Sequence, residues 1–141
     1  KLNNIVFLKN PSDACILELS GNILVEGHLN LEDNFGACDY LTEGFLIANK
    51  KCQRGNHAHR KCVQGFFSVK GSFYIKCIYS NGKKDKFVIR PGDKLKIIKP
   101  LTWVKVYLNK NSICGVLCDR HYVEKDYIRD CKKFNEIIDK F

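Results

Sequence analysis

Among 141 residues there is no methionine, a single tryptophan and only three prolines, and none of the eight cysteines falls in a Cys-x-x-Cys pair. The missing spacing excludes a zinc ribbon and a thioredoxin-type redox centre. Scattered at 15, 38, 52, 62, 77, 114, 118 and 131, several inside apolar runs, the cysteines read as reduced small hydrophobes and not as a disulfide framework. No apolar run approaches the length that crosses a bilayer, and residues 1–10 lack the sustained apolar segment and small-residue cleavage site of a secretory signal. The chain is therefore expected in the cytoplasm, with no membrane partner. A basic block or basic-aromatic stripe is also missing, since the net charge of +9 comes mostly from dispersed lysines. That argues against a nucleic-acid partner and leaves either solvated lysines or an anionic small ligand as the meaning of the charge. Without a methionine, the chain is read as processed at its start or as part of a longer protein.

What is present is β-patterned. Short apolar runs at 5–8, 15–19, 23–26, 45–48, 63–69, 72–79, 86–89, 94–98, 103–108 and 113–118 are divided by turn signals such as Asn10-Pro11, Lys70-Gly71, Asn81-Gly82, Pro91-Gly92-Asp93 and Pro100. Asn81-Gly82 predicts a tight hairpin. Residues 28–42 are polar and irregular and are read as a loop. Only the tail, about 125–141, has helical spacing, with Ile128, Cys131, Phe134, Ile137 and Ile138 on one side. The length and 45% hydrophobic content suit one domain, 1–141, with one core. Many short strands with regular turns mean a sandwich or barrel.

The chemistry concentrates in Arg54-Gly55-Asn56-His57-Ala58-His59-Arg60-Lys61-Cys62-Val63-Gln64. On an extended strand, His57 and His59 leave the same face. With Gln64 and Gly71 following, the spacing resembles the first cupin motif, which predicts an all-β, cupin-type β-barrel (jelly roll) with a short C-terminal helix. Metal-binding cupins use three histidines and a glutamate. Here Gln64 stands in place of the carboxylate, and the stretch after Pro100 reads Leu101-Thr102-Trp103-Val104-Lys105 with no third histidine. His28 and His121 lie outside the motif, so the expectation is no metal and no other cofactor. Two imidazoles without a metal suit proton transfer, since their ordinary pKa lies near neutrality. The competing reading, histidines hydrogen-bonded to the Arg54-Gly55 turn for structure alone, stays open.

The combination of Arg54-Gly55-x-His57-Ala58-His59-Arg60, Gln64, Gly71-Ser72, Pro100 with Trp103, and the ending Tyr122-x-x-x-Asp126-Tyr127-Ile128-Arg129 with Phe134 resembles the nucleoside-diphosphate-sugar 3,4-ketoisomerases, the WxcM-like cupins, over about 45–141. The resemblance implies a homodimeric, metal-independent cupin of bacterial surface-sugar biosynthesis acting on a dTDP-4-keto-6-deoxyhexose. It implies His59 as base or shuttle, with His57 beside it. Arg54 would grip the diphosphate or form a rim salt bridge. Gln64 would bond a sugar hydroxyl or a histidine, and Trp103 would stack on the ligand or pack in the core. Where family members carry a tyrosine before the histidines, this chain has Phe45. Tyr74, Tyr40 and His28 are candidates for the missing group, and Tyr74 completes the expected substrate-binding set. A nucleotide-sugar epimerase and a non-catalytic sugar-binding cupin are the alternative functions.

Overall fold

In segments 73–78 and 103–108 the large apolar residues fall at every second position, and a strand so patterned buries one face and shows the other. The computed structural model describes residues 4–9, 14–20, 42–120 and 122–140, with side-chain surroundings described from residue 45 onward. The elements are β1 (Asn4–Lys9), β2 (Ala14–Ser20), β3 (Thr42–Ala48), β4 (Cys52–His59), β5 (Gln64–Lys70), β6 (Phe73–Ile78), β7 (Lys84–Ile89), β8 (Lys96–Ile98), β9 (Trp103–Leu108), β10 (Ile113–Cys118), a 3-10 turn (Glu124–Asp126), β11 (Tyr127–Ile128) and α1 (Cys131–Ile138). The expected strand at 23–26, the expected loop 28–42 as far as residue 41, the Asn10-Pro11 turn and residues His28, Tyr40 and His121 lie outside the described residues, while Thr42, expected in that loop, begins β3.

The strands form two antiparallel sheets, in the orders β1-β2-β3-β10-β5-β8 and β11-β4-β9-β6-β7. From β3 onward the chain changes sheet at almost every connection, as in a jelly roll. Phe66, Ile98 and Cys114 of the first sheet meet Phe73, Ile75, Val104, Val106 and Leu108 of the second in the core between them. The fold is thus all-β with one short C-terminal helix, as the sequence pattern implies, although among the described residues the sheets do not close into a continuous barrel.

The tail departs from its helical periodicity. Residues 124–126 make a 3-10 turn, and Tyr127 and Ile128 pair with His59 and Ala58 of β4. The helix begins only at Cys131, because the Asp130 side chain caps it by accepting the Lys132 N–H. Eight residues are too few to hold a helix alone. Phe134 and Ile138 anchor it instead, buried against Ala58, Trp103 and Ile128 on the outer face of the second sheet. Each such burial contributes about 1.5–3 kcal/mol.

One irregularity positions the histidines. Arg54 lies opposite Val106 and His57 opposite Val104, both inward-facing partners, yet Arg54 and His57 are an odd number of residues apart. A bulge between Gly55 and His57 inserts the extra residue and switches the parity of the strand. Gly55 at φ 87° and Asn56 at φ 61° both adopt left-handed backbone there. A Cβ on Gly55 would stand 2.8 Å from the Val104 carbonyl oxygen, so only glycine fits this approach. Gly55→Ala is expected to cost about 1–3 kcal/mol of stability, read from the denaturant midpoint at constant slope. A midpoint equal to that of the parent protein would mean that the bulge is not the constraint described.

Candidate active site

Because the bulge turns Arg54, His57 and His59 to the inside, β4 supplies one wall of a cavity of about 500 Å3. Its apolar floor comes from Phe66, Val104, Val106 and Val116, inward residues of three strands. A polar side comes from the C-terminal segment next to β4: Tyr122, Asp126, Tyr127 and Arg129 all line the same space.

Asp126 holds the site together. Its Oδ2 lies 3.0 Å from His59 Nδ1 and accepts the Cys62 N–H, while its Oδ1 accepts the Lys61 N–H. Its backbone carbonyl accepts the Arg60 N–H. A carboxylate only accepts hydrogen bonds, so the His59 proton sits on Nδ1. His59 Nε2 is then left with a lone pair, buried and without a partner among the described residues. Gln64 Oε1 is a second buried, unpartnered acceptor lining the cavity, with its Nε2 placed 3.6 Å from the Cys118 sulfur. Buried acceptors of this kind are costly unless a ligand or water supplies donors.

Both imidazoles are held neutral. Burial, the neighbouring His59 and the Arg129 charge lower the His57 pKa from 6.5 to about 4, against a hydrogen bond to the Gly55 backbone that raises it. Burial also lowers that of His59, with Asp126 opposing. His57 thus has the turn partner that a structural histidine would have, and His59 does not. Tyr127 packs against both rings, its centroid 4.2 Å from His59 and 5.0 Å from His57, and burial raises its pKa so that it keeps its proton. Three arginines line the cavity, of which Arg120 and Arg129 are well exposed: Arg129 pairs with Glu124 and lies over Tyr127, Arg120 pairs with Asp119, and Arg54 projects from β4.

Of the expected site residues, His57, His59, Arg54 and Gln64 come together here. Tyr74 and Trp103 do not. Tyr74 alternates with inward Phe73 and Ile75, faces outward and stacks on Tyr107 at 4.6 Å. Trp103 is buried on the outer side of its sheet, where it packs against Phe134, so core packing is its place. Phe45, which stands where members of the resembled family carry a tyrosine, lines the cavity. Asp126 and Tyr127 are the additions. They belong to the Asp-Tyr-Ile-Arg ending, which was the available signal, but its helical spacing hid their role.

Three comparisons bear on this geometry. The family profile described as FdtA: WxcM-like, C-terminal matches residues 45–139. The chain is 29% identical to the Campylobacter jejuni protein WlaRA, a TDP-fucose-3,4-ketoisomerase, with a TM-score of 0.60 over 65% of this chain and 68% of that one. It superposes on QdtA, a sugar 3,4-ketoisomerase of Thermoanaerobacterium thermosaccharolyticum solved with TDP, with a TM-score of 0.68 at 21% identity over 99% and 98% of the two chains. A 3,4-ketoisomerase of Helicobacter canadensis gives 0.68 at 21% identity over 85% and 92%. No curated protein sequence matches.

The lowered histidine pKa values set a pH dependence. An unfolded histidine takes a proton near 6.5, whereas folded His57 does so only near 4. Stability is therefore full above 6.5 and falls as the pH drops through that window. Unfolding free energies measured across it should decline, and His57→Asn should flatten the decline. An unchanged slope in that variant would place the titrating group elsewhere.

Proposed function

The chain belongs to the WxcM-like, C-terminal (FdtA) family, and we propose that it is a 3,4-ketoisomerase of a TDP-linked 4-keto-6-deoxyhexose, acting by proton transfer through an enediol. The observation that carries this reading is His59: its Nδ1 is tied to Asp126, and its Nε2 lone pair stands unpartnered in the cavity. An imidazole so fixed is a general base aimed by a carboxylate.

The chemistry balances within the sugar. Nε2 takes the proton from C3, the C3–H electron pair forms the C3–C4 double bond, and the C4 carbonyl oxygen receives a proton to give the enediol. The C3 hydroxyl then loses its proton as its carbonyl forms, and C4 receives the carbon-bound proton. Nothing is oxidised overall, so no redox partner is required. The neutral state of His59 supports its starting as a base. Tyr127 keeps its proton and lies against His59, which suits it to donate a hydrogen bond to the oxygen that gains charge. His57, bonded to Gly55, positions the pair. Gln64 Oε1 accepts from a sugar hydroxyl.

The same layout separates the two halves of the substrate. The apolar floor and the histidine wall take the deoxysugar, and Arg54, Arg120 and Arg129 take the diphosphate, which arginine forks grip well. As part of this reading the protein works as a homodimer in the cytoplasm, in bacterial surface-sugar biosynthesis. No described helix is long and apolar enough to cross a membrane.

The test is hydrogen exchange. Incubated with TDP-4-keto-6-deoxyglucose in deuterated water, the protein should place deuterium at C4 and move the carbonyl to C3, followed by NMR. Exchange confined to C3 would indicate epimerisation, and binding without exchange would sink an enzymatic role. His59→Asn should lower turnover about 10²–10⁴-fold while substrate still binds.

A further inference from the structure

The His59–Asp126 pair has a third neighbour that the proton transfer does not use. One nitrogen of His59, the Cys62 sulfur and one Asp126 oxygen all lie within 4.8 Å of one another. The two histidine and aspartate atoms that touch are 3.0 Å apart. Four-coordinate zinc, with bonds of about 2.0–2.3 Å, spans its ligands by roughly 3.3–3.8 Å. Side-chain adjustments of about an ångström would therefore close the three donors on one ion. We propose that His59, Cys62 and Asp126 form a binding site for a thiophilic divalent cation of the zinc type, and that occupancy switches the proton transfer off.

The donor set decides the class of ion. One thiolate with one imidazole and one carboxylate selects zinc, cobalt or cadmium over magnesium or calcium, which prefer all-oxygen shells. Charge agrees with it. Thiolate and carboxylate together neutralise a divalent ion, the Cys62 thiol proton passing to solvent, so the complex carries no net charge in a place where His59 and Cys62 are almost fully buried. The carboxylate is already oriented, because the Lys61 and Cys62 N–H groups hold its oxygens. All three residues line the cavity, which leaves the fourth coordination position to water or a ligand within it. Cys118, whose thiol stands beside that of Cys62, adds a second sulfur at the margin.

This ligand set is not the cupin metal set, which Gln64 and the absent third histidine leave incomplete. It arises from Cys62 and from Asp126 of the C-terminal segment. Its consequence is exclusion: an ion bound to His59 Nδ1 and Asp126 displaces the Nδ1 proton, which moves to Nε2 and occupies the lone pair the base needs, so metal binding and base chemistry compete. That consequence rests on His59 being the base; the binding itself does not.

Cobalt(II) titration of the purified, reduced protein tests the binding. The expected result is a saturable spectrum with intense visible bands of four-coordinate cobalt and a near-ultraviolet thiolate charge-transfer band, displaced by zinc. Cys62→Ser, which keeps the side-chain shape, should remove the charge-transfer band. Asp126→Asn should weaken binding about ten- to a hundredfold. Absence of the bands, or their persistence at full strength in Cys62→Ser, overturns the site. Deuterium exchange on the keto sugar, with and without zinc, tests the consequence: inhibition reversed by chelator, and relieved in Cys62→Ser, supports it. Cobalt binding at Cys62 with undiminished exchange in zinc would overturn His59 as base while leaving the site standing.

Discussion

Asp126, through its carboxylate, ties the C-terminal segment to the histidine strand and to the turn that follows it. Its carboxylate and its own carbonyl oxygen bind the Lys61, Cys62 and Arg60 N–H groups, which belong to the turn leaving β4, and the His59 ring. A turn bends away from a sheet with its amides unpaired, so they need acceptors from elsewhere. One residue from the far end of the chain satisfies three of them. The segment 126–128 is thereby held beside the histidine strand, and Tyr127, Arg129 and the helix that follows are placed by the same attachment. The histidine wall and the C-terminal ending form one unit for that reason.

The electrostatic result is a site with neutral histidines and arginines along its lining. Burial outweighs the Asp126 carboxylate at His59, and at His57 it acts together with the Arg129 charge. Proton transfer at neutral pH needs this balance, because a charged imidazole has no lone pair to offer. Arg129 contributes to it while staying near solvent and tied to Glu124, and Arg120 likewise stays near solvent, tied to Asp119. Buried among the histidines, their charge would have to be neutralised at much greater cost.

Most of the strands were legible because a half-buried strand carries its period in its sequence, and β9 and β10 coincide with their predicted limits at 103–108 and 113–118. The shared face of His57 and His59 was legible on the same ground. The bulge at Gly55-Asn56 was not, since a glycine and an asparagine announce a turn as readily as a bulge. Without it, Arg54 and His57 would lie on opposite faces. The tail misled for a different reason: Ile128 and Phe134 fit a helical stripe, but Ile128 is buried from a strand and Phe134 from the helix. Both reach the same cluster, and periodicity cannot distinguish one helix from two elements that cover the same patch. Tyr74 shows the opposite limit, an aromatic residue suited to a ligand but placed outward by the alternation of its own strand.

Proton chemistry and cation binding share a physical origin here. A base must present a lone pair that nothing in the protein satisfies, and the buried, unpartnered Nε2 of His59 does so. A nearby carboxylate fixes the tautomer, and those two groups are also the beginning of a metal site. Whether the pair remains a base or becomes a ligand set depends on what stands next to it. An aliphatic side chain at position 62 would leave two donors, too few to compete for a scarce ion. Cys62 supplies the third, and it does so from the turn that Asp126 itself holds in place. The attachment that aims His59 for proton transfer is thus also the one that brings a thiol within reach of it.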